Sequence, residues 1–208
     1  MSRRLPRLDP LDRMLLAGDG TVTTLLEACT AEPIRTATVR VAGPATVDDL
    51  MRLTGSWWHP NASLLDLEPA EPVIVRRAVL RGARTSRPYV LAESLVVPGR
   101  LPGAMADALA QPGASIGRLL QSNGAETRRE LLQVGRMRAN EATEYLETRP
   151  DATIAWRTYR IQMGGRTIVL LAEMIPVGRL AGVVRHQTRH RRADLADASL
   201  HRRFRHAS

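Results

Sequence analysis

A glycine pair constrains this chain more than any other feature. Gly164-Gly165 separates two strand-like runs, 153–162 and 168–176, and two glycines between such runs specify a tight antiparallel hairpin. A second hairpin lies upstream, where the β-branched runs 73–81 and 88–97 flank the longer turn 82–87. Strands are also predicted at 33–41 and 127–137. Helices are predicted at 10–16, with Asp9 as N-cap ahead of Pro10, and at 21–27, 46–53, 102–110 and 115–121. Gly18-Asp19-Gly20 stops the first of them, and residues 56–61 read as a loop. Strands joined by hairpins rather than helical crossovers pair antiparallel. The expected fold is therefore α+β: a six-stranded antiparallel sheet with helices on one face.

Composition removes several chemistries at once. The 208 residues are 44% hydrophobic, enough for one domain with a real core. All 30 basic residues are arginine, so no lysine exists to form a Schiff base, anchor pyridoxal phosphate or serve a P-loop. Cys29 is the only cysteine, which excludes internal disulfides, thiolate zinc sites and iron–sulfur clusters. Four of the five histidines fall in the last 23 residues, leaving His59 alone in the body. Neither an apolar leader nor a run of membrane-spanning length is present, so the expectation is a cytoplasmic protein with no membrane partner. The net charge of +9 is concentrated late, with seven arginines from Arg185 onward against Asp194 and Asp197. Aromatic content of 3% provides no stacking platform, which argues against nucleic acid as partner. The chain divides into a domain over 1–182 and a basic Arg/His-rich tail over 183–208.

Glu173 stands in the apolar run Ile168-Val169-Leu170-Leu171-Ala172-Glu173-Met174-Ile175-Pro176. An ionised carboxylate there costs several kcal/mol unless it is paired or put to use. If Met163 faces Arg166 across the glycine turn and the register runs on unbroken, Trp156 faces Glu173 and Arg157 points to the opposite side of the sheet. On that register no cation of the hairpin stands beside the carboxylate, and its partner comes from another strand or from a ligand. The upstream hairpin offers one. Arg76 and Arg77 interrupt an apolar strand and alternate to opposite faces, so only one faces the core, and both faces are acceptable cores. Glu93, a second acid in an apolar strand, could pair with either arginine.

Five segments in this order resemble the chorismate pyruvate-lyase (4-hydroxybenzoate synthase) family: LAGDGTVTTLLEA at 16–28, VIVRRAVL with YVLAESLVVPGRLP within 73–102, ASIGRLLQ at 114–121, TRRELLQVG at 127–135, and AWRTYRIQMGGRTIVLLAEMIP at 155–176. The resemblance spans roughly residues 10 to 180. It implies a six-stranded antiparallel sheet with helices on one side, in agreement with the strand count read from the residues. It also implies a cofactor-independent, metal-free lyase that removes enolpyruvate from chorismate, a small anionic substrate, and leaves 4-hydroxybenzoate and pyruvate.

On this resemblance the family's essential arginine falls on Arg76, which would grip the ring carboxylate through a planar, bidentate contact. Its essential glutamate falls on Glu173, which would sit near the ring hydroxyl as general acid/base. Ile116 and Val22 match positions lining the product site. Two departures stand out: Val22 replaces a methionine common in the better-studied branch, and Glu93 stands where that branch has a small residue. The same fold serves bacterial transcription regulators as an effector-binding domain, so a non-catalytic binding module is the alternative reading, as is a relative acting on another anionic metabolite. A regulator of that kind needs a winged helix ahead of the domain, and about ten residues precede the similarity.

Overall fold

The structure, a computed structural model, describes residues 8–18, 21–54, 58–68, 70–111 and 113–185. Strands β1 (Ile34–Ala45), β2 (Val73–Gly82), β3 (Pro88–Val96), β4 (Arg128–Arg138), β5 (Thr153–Met163) and β6 (Arg166–Pro176) form one sheet in the order β1-β2-β3-β6-β5-β4. Every neighbouring pair is antiparallel, and the two hairpins account for the β2–β3 and β5–β6 pairs. The helices are α1 (Pro10–Ala17), α2 (Val22–Thr30), α3 (Val47–Leu53), α4 (Gly103–Ala110), α5 (Ile116–Ser122) and α6 (Ala142–Leu146). Asp9 caps α1 through its carboxylate on the Leu11 amide, and Ser115 caps α5.

The expected α+β architecture is present. Helices α1, α2, α4 and α5 gather on one face, where Leu15, Leu16 and Leu26 meet Leu80, Val90 and Ile175, and Met105 and Leu109 meet Ile161, Val169 and Leu171. The opposite face is covered too. There α3 and a 3-10 turn at Ala62–Leu65 pack on Val73, Val75 and Leu95, and α6 packs on Val79, Leu91 and Met174. This double cover accounts for the continuous apolar run of β6, since a strand buried on both faces does not alternate. Each fully buried leucine contributes about 1.5–3 kcal/mol. The α6 and 3-10 segments are too short and too polar at their ends to leave a periodic signal.

The register of the last hairpin differs from the unbroken one. Met163 faces Arg166 and Gln162 faces Thr167, but Ile161 faces Val169. Ile168 is thus the extra residue of a bulge, and its carbonyl accepts a hydrogen bond at 3.0 Å from the amide of Val97, just past the end of β3. A one-residue slip flips which side chains share a face. From there on Arg157, not Trp156, faces Glu173.

Residues 179–185 are helical, Leu180 and Val183 are buried in the α1/α2 core, and Ala181 is buried as well. The tail from residue 186, the Asp19-Gly20 stop and residues 55–57 of the loop lie outside the described residues.

Candidate active site

Arg76 is answered by the structure: it is the arginine that faces the four-helix side of the sheet, 4% exposed. Arg77 points to the opposite face, where it binds Glu93 at 2.9 Å and lies 5.5 Å from the centre of the Tyr145 ring. Glu93 is therefore the structural partner of Arg77. Arg76 has no such carboxylate among the described residues. Its Nη2 donates to the Ala114 carbonyl at 3.0 Å, and its Nε has no hydrogen-bond partner among those residues. Desolvation pulls the guanidinium below its ordinary value, yet an arginine keeps its charge.

Glu173 is paired, contrary to the expectation that its own hairpin supplies no cation. Arg157 Nε donates to Glu173 Oε2 at 2.6 Å, and the Tyr159 hydroxyl donates to Oε1 at 2.9 Å. The bulge at Ile168 is the cause, because it puts Arg157, Tyr159 and Glu173 on one face. Arg157 also donates to the Gly18 carbonyl at 2.7 Å and lies 4.9 Å from the centre of the Tyr159 ring. Burial opposes the charge on Arg157, but Glu173 and Tyr159 more than offset it and raise the guanidinium above its ordinary value. Burial and then the Glu173 charge push the Tyr159 hydroxyl upward, so it remains protonated and a donor.

Arg76 and Glu173 line one buried cavity of about 60 Å³, and Val22 and Ile116 line it as well. The four residues singled out in the sequence thus meet at one place. The reason lies in side-chain size. In the ladder Arg76 faces Ser94 and Ser94 faces Leu171, while Ala78 faces Ala92 and Ala92 faces Glu173. Charged groups two strands apart, about 10 Å across the sheet, are separated by the small side chains Ala78, Ala92 and Ser94, which leave the space open. The ceiling is made by the first turns of α2 and α5. Thr21, the N-cap of α2, crosses Gly117 so closely that a Cβ there would lie 2.6 Å from the Thr21 methyl.

Beyond that seam is a larger open groove of about 860 Å³ between α1, α2 and α5. Thr21, Val22, Gly117 and Arg129 line both spaces, and Arg157 faces the groove from behind Glu173. Arg157, Tyr159 and Arg129 were not recognised in the sequence. Once the bulge is known, the alternation of 155, 157, 159 and 161 identifies the first two, but nothing local reports a bulge.

Among the described residues no group of three or more His, Cys, Asp and Glu side chains is placed to hold a metal ion, and no helix is long and apolar enough to cross a membrane.

The chain is similar to known proteins on two levels. In sequence, a chorismate pyruvate-lyase of Mycobacterium leprae (strain TN) is 28% identical over 178 residues, covering 80% of this chain and 74% of that one. In structure, the effector domain of PhnF from Mycobacterium smegmatis superposes with a TM-score of 0.58 at 14% identity, covering 79% of this chain and 93% of that domain. The ligand-binding domain of a putative GntR-family transcriptional regulator from Bordetella bronchiseptica gives 0.51 at 16% identity, covering 68% and 85%. At such identity the structural likeness concerns the fold alone. The profile of the chorismate pyruvate-lyase Rv2949c-like family matches residues 16–181, and the chain belongs to that family.

Proposed function

We propose that the protein is a chorismate pyruvate-lyase that converts chorismate to 4-hydroxybenzoate and pyruvate without a cofactor. One observation carries the reading: Arg76 is a buried guanidinium with no carboxylate beside it among the described residues, on the wall of the cavity that Glu173 also lines. An uncompensated buried charge costs several kcal/mol, and an anionic ligand removes that cost. Arg76 takes the ring carboxylate bidentately. Glu173 lies beyond Ala78 and Ala92, toward the other end of the ring. Hydrogen-bonded to Arg157, its carboxylate accepts the hydrogen bond of the ring hydroxyl and serves as base for the proton on the carbon that bears it.

The reaction is an elimination. The proton on ring carbon 4 leaves, its electron pair completes the aromatic ring, and the ether bond at carbon 3 breaks. The departing enolpyruvate takes up a proton and ketonises to pyruvate. Aromatisation supplies much of the driving force, so orientation in a dry cavity is the main demand on the protein. Sixty cubic ångströms is room for about two waters, so the ring enters by parting the Thr21–Gly117 seam.

The test is purified protein with chorismate and excess chelator, followed by chromatography. Stoichiometric 4-hydroxybenzoate and pyruvate are expected. No product, or 3-hydroxybenzoate alone, would show that the reading is wrong.

A further inference from the structure

Chorismate carries two carboxylates, one on the ring and one on the enolpyruvyl arm, and the site as described answers only the first. The second cation is Arg129 on β4. Its side chain is half-buried and lines both the buried cavity and the outer groove. Its Nη2 donates to the Thr21 hydroxyl at 3.3 Å, which ties it to the seam between the two spaces. It is close enough to Tyr159 to act against the upward shift of that hydroxyl, so its charge is felt inside the cavity. The first turn of α2, which begins beside Thr21, adds the partial positive charge of a helix N-terminus.

We propose that Arg129 binds the carboxylate of the enolpyruvyl arm, with the ring in the cavity and the arm extending through the Thr21–Gly117 seam into the groove. This rests on the lyase reading above and names the residue that distinguishes a dianionic substrate from its monoanionic product. Pyruvate, formed on the groove side of the seam, leaves through the groove while 4-hydroxybenzoate is still held by Arg76.

Two stable ligands separate the carboxylates: 4-hydroxybenzoate, and 3-(carboxymethoxy)-4-hydroxybenzoate, which keeps a second carboxylate on an ether arm. Calorimetric titration of the full chain should show Arg129→Gln weakening the dicarboxylate about 30-fold or more, with 4-hydroxybenzoate within threefold of wild type. Arg76→Gln should weaken both. Thr21→Val, which removes the seam hydrogen bond but not the charge, should leave the preference for the dicarboxylate in place. If Arg129→Gln does not fold, Arg129→Lys replaces it, and a loss of about tenfold confined to the dicarboxylate is expected. Equal loss for both ligands, or no loss for either, overturns the assignment. The two readings fail separately. Wild-type protein that discriminates the ligands as described but leaves chorismate intact refutes the lyase and keeps the two-carboxylate site. Turnover of chorismate with no selective effect at Arg129 refutes the site alone.

Discussion

Arg157 faces Glu173 directly across the β5–β6 ladder and binds it at 2.6 Å, whereas Arg76, lining the same cavity, has no carboxylate beside it among the described residues. The two arginines are equally buried and differ in what surrounds them. One charge is spent inside the protein, the other is left for a ligand. Stability and binding should therefore respond in opposite ways when each is removed.

Replacing Arg76 by methionine removes an uncompensated buried charge and keeps most of the side-chain volume. The melting temperature of Arg76→Met should be unchanged or raised, because apolar replacement of buried ionic groups is neutral or stabilising by about 1–4 kcal/mol. Affinity for 4-hydroxybenzoate should fall by about 2–5 kcal/mol. Thermal melts and titrations of one preparation check both, and a large drop in melting temperature would make Arg76 a structural residue.

Glu173→Gln leaves Arg157 buried without its carboxylate, so it should destabilise the fold by about 3–5 kcal/mol as well as slow turnover by about 10²–10⁴-fold. A double-mutant cycle with Arg157→Gln measures the pair: the double variant should lose less stability than the sum of the singles. Turnover should not recover with it, because the base is still missing. Near-wild-type turnover in a folded Glu173→Gln protein would reduce the glutamate to a structural partner.

Glu71 supplies an acid-dependent share of stability. Its carboxylate accepts from Arg100 Nε at 2.8 Å, and the Arg100 hydrogen bonds hold its pKa at about 2. A carboxylate whose pKa is lowered by folding contributes fully above its unfolded value of about 4.3 and loses that contribution as the pH falls through the folded value. Melting temperatures of wild type and Glu71→Gln should thus differ most above about pH 5 and converge toward pH 2. A gap independent of pH over that window would mean that the contact contributes by packing rather than by charge.

The division proposed between domain and tail can be tested by truncation. Ending the chain after residue 185 should leave both melting and turnover intact. Ending it after residue 182 removes Val183 from the core and should cost about 1–2 kcal/mol, the burial of one valine. An equal loss from both truncations would show that residues past 185 contribute to the domain.

How much the sequence determined follows from the range of each interaction. The strands, the two hairpins and the cap at Asp9 rest on local chemistry, namely β-branched runs, a glycine pair and a side-chain oxygen ahead of a helical turn, and all of these were legible. Resemblance in ordered segments identified Arg76, Glu173, Val22 and Ile116, which the fold gathers around one cavity. Tertiary structure alone decided the rest. Strand alternation says that Arg76 and Arg77 oppose each other, but not which side receives α2 and α5. The bulge at Ile168 depends on how β6 fits β5 and β3 at once, and no residue type announces it. That single inserted residue turns Arg157 and Tyr159 toward Glu173, because a period of two converts a slip of one position into a change of face.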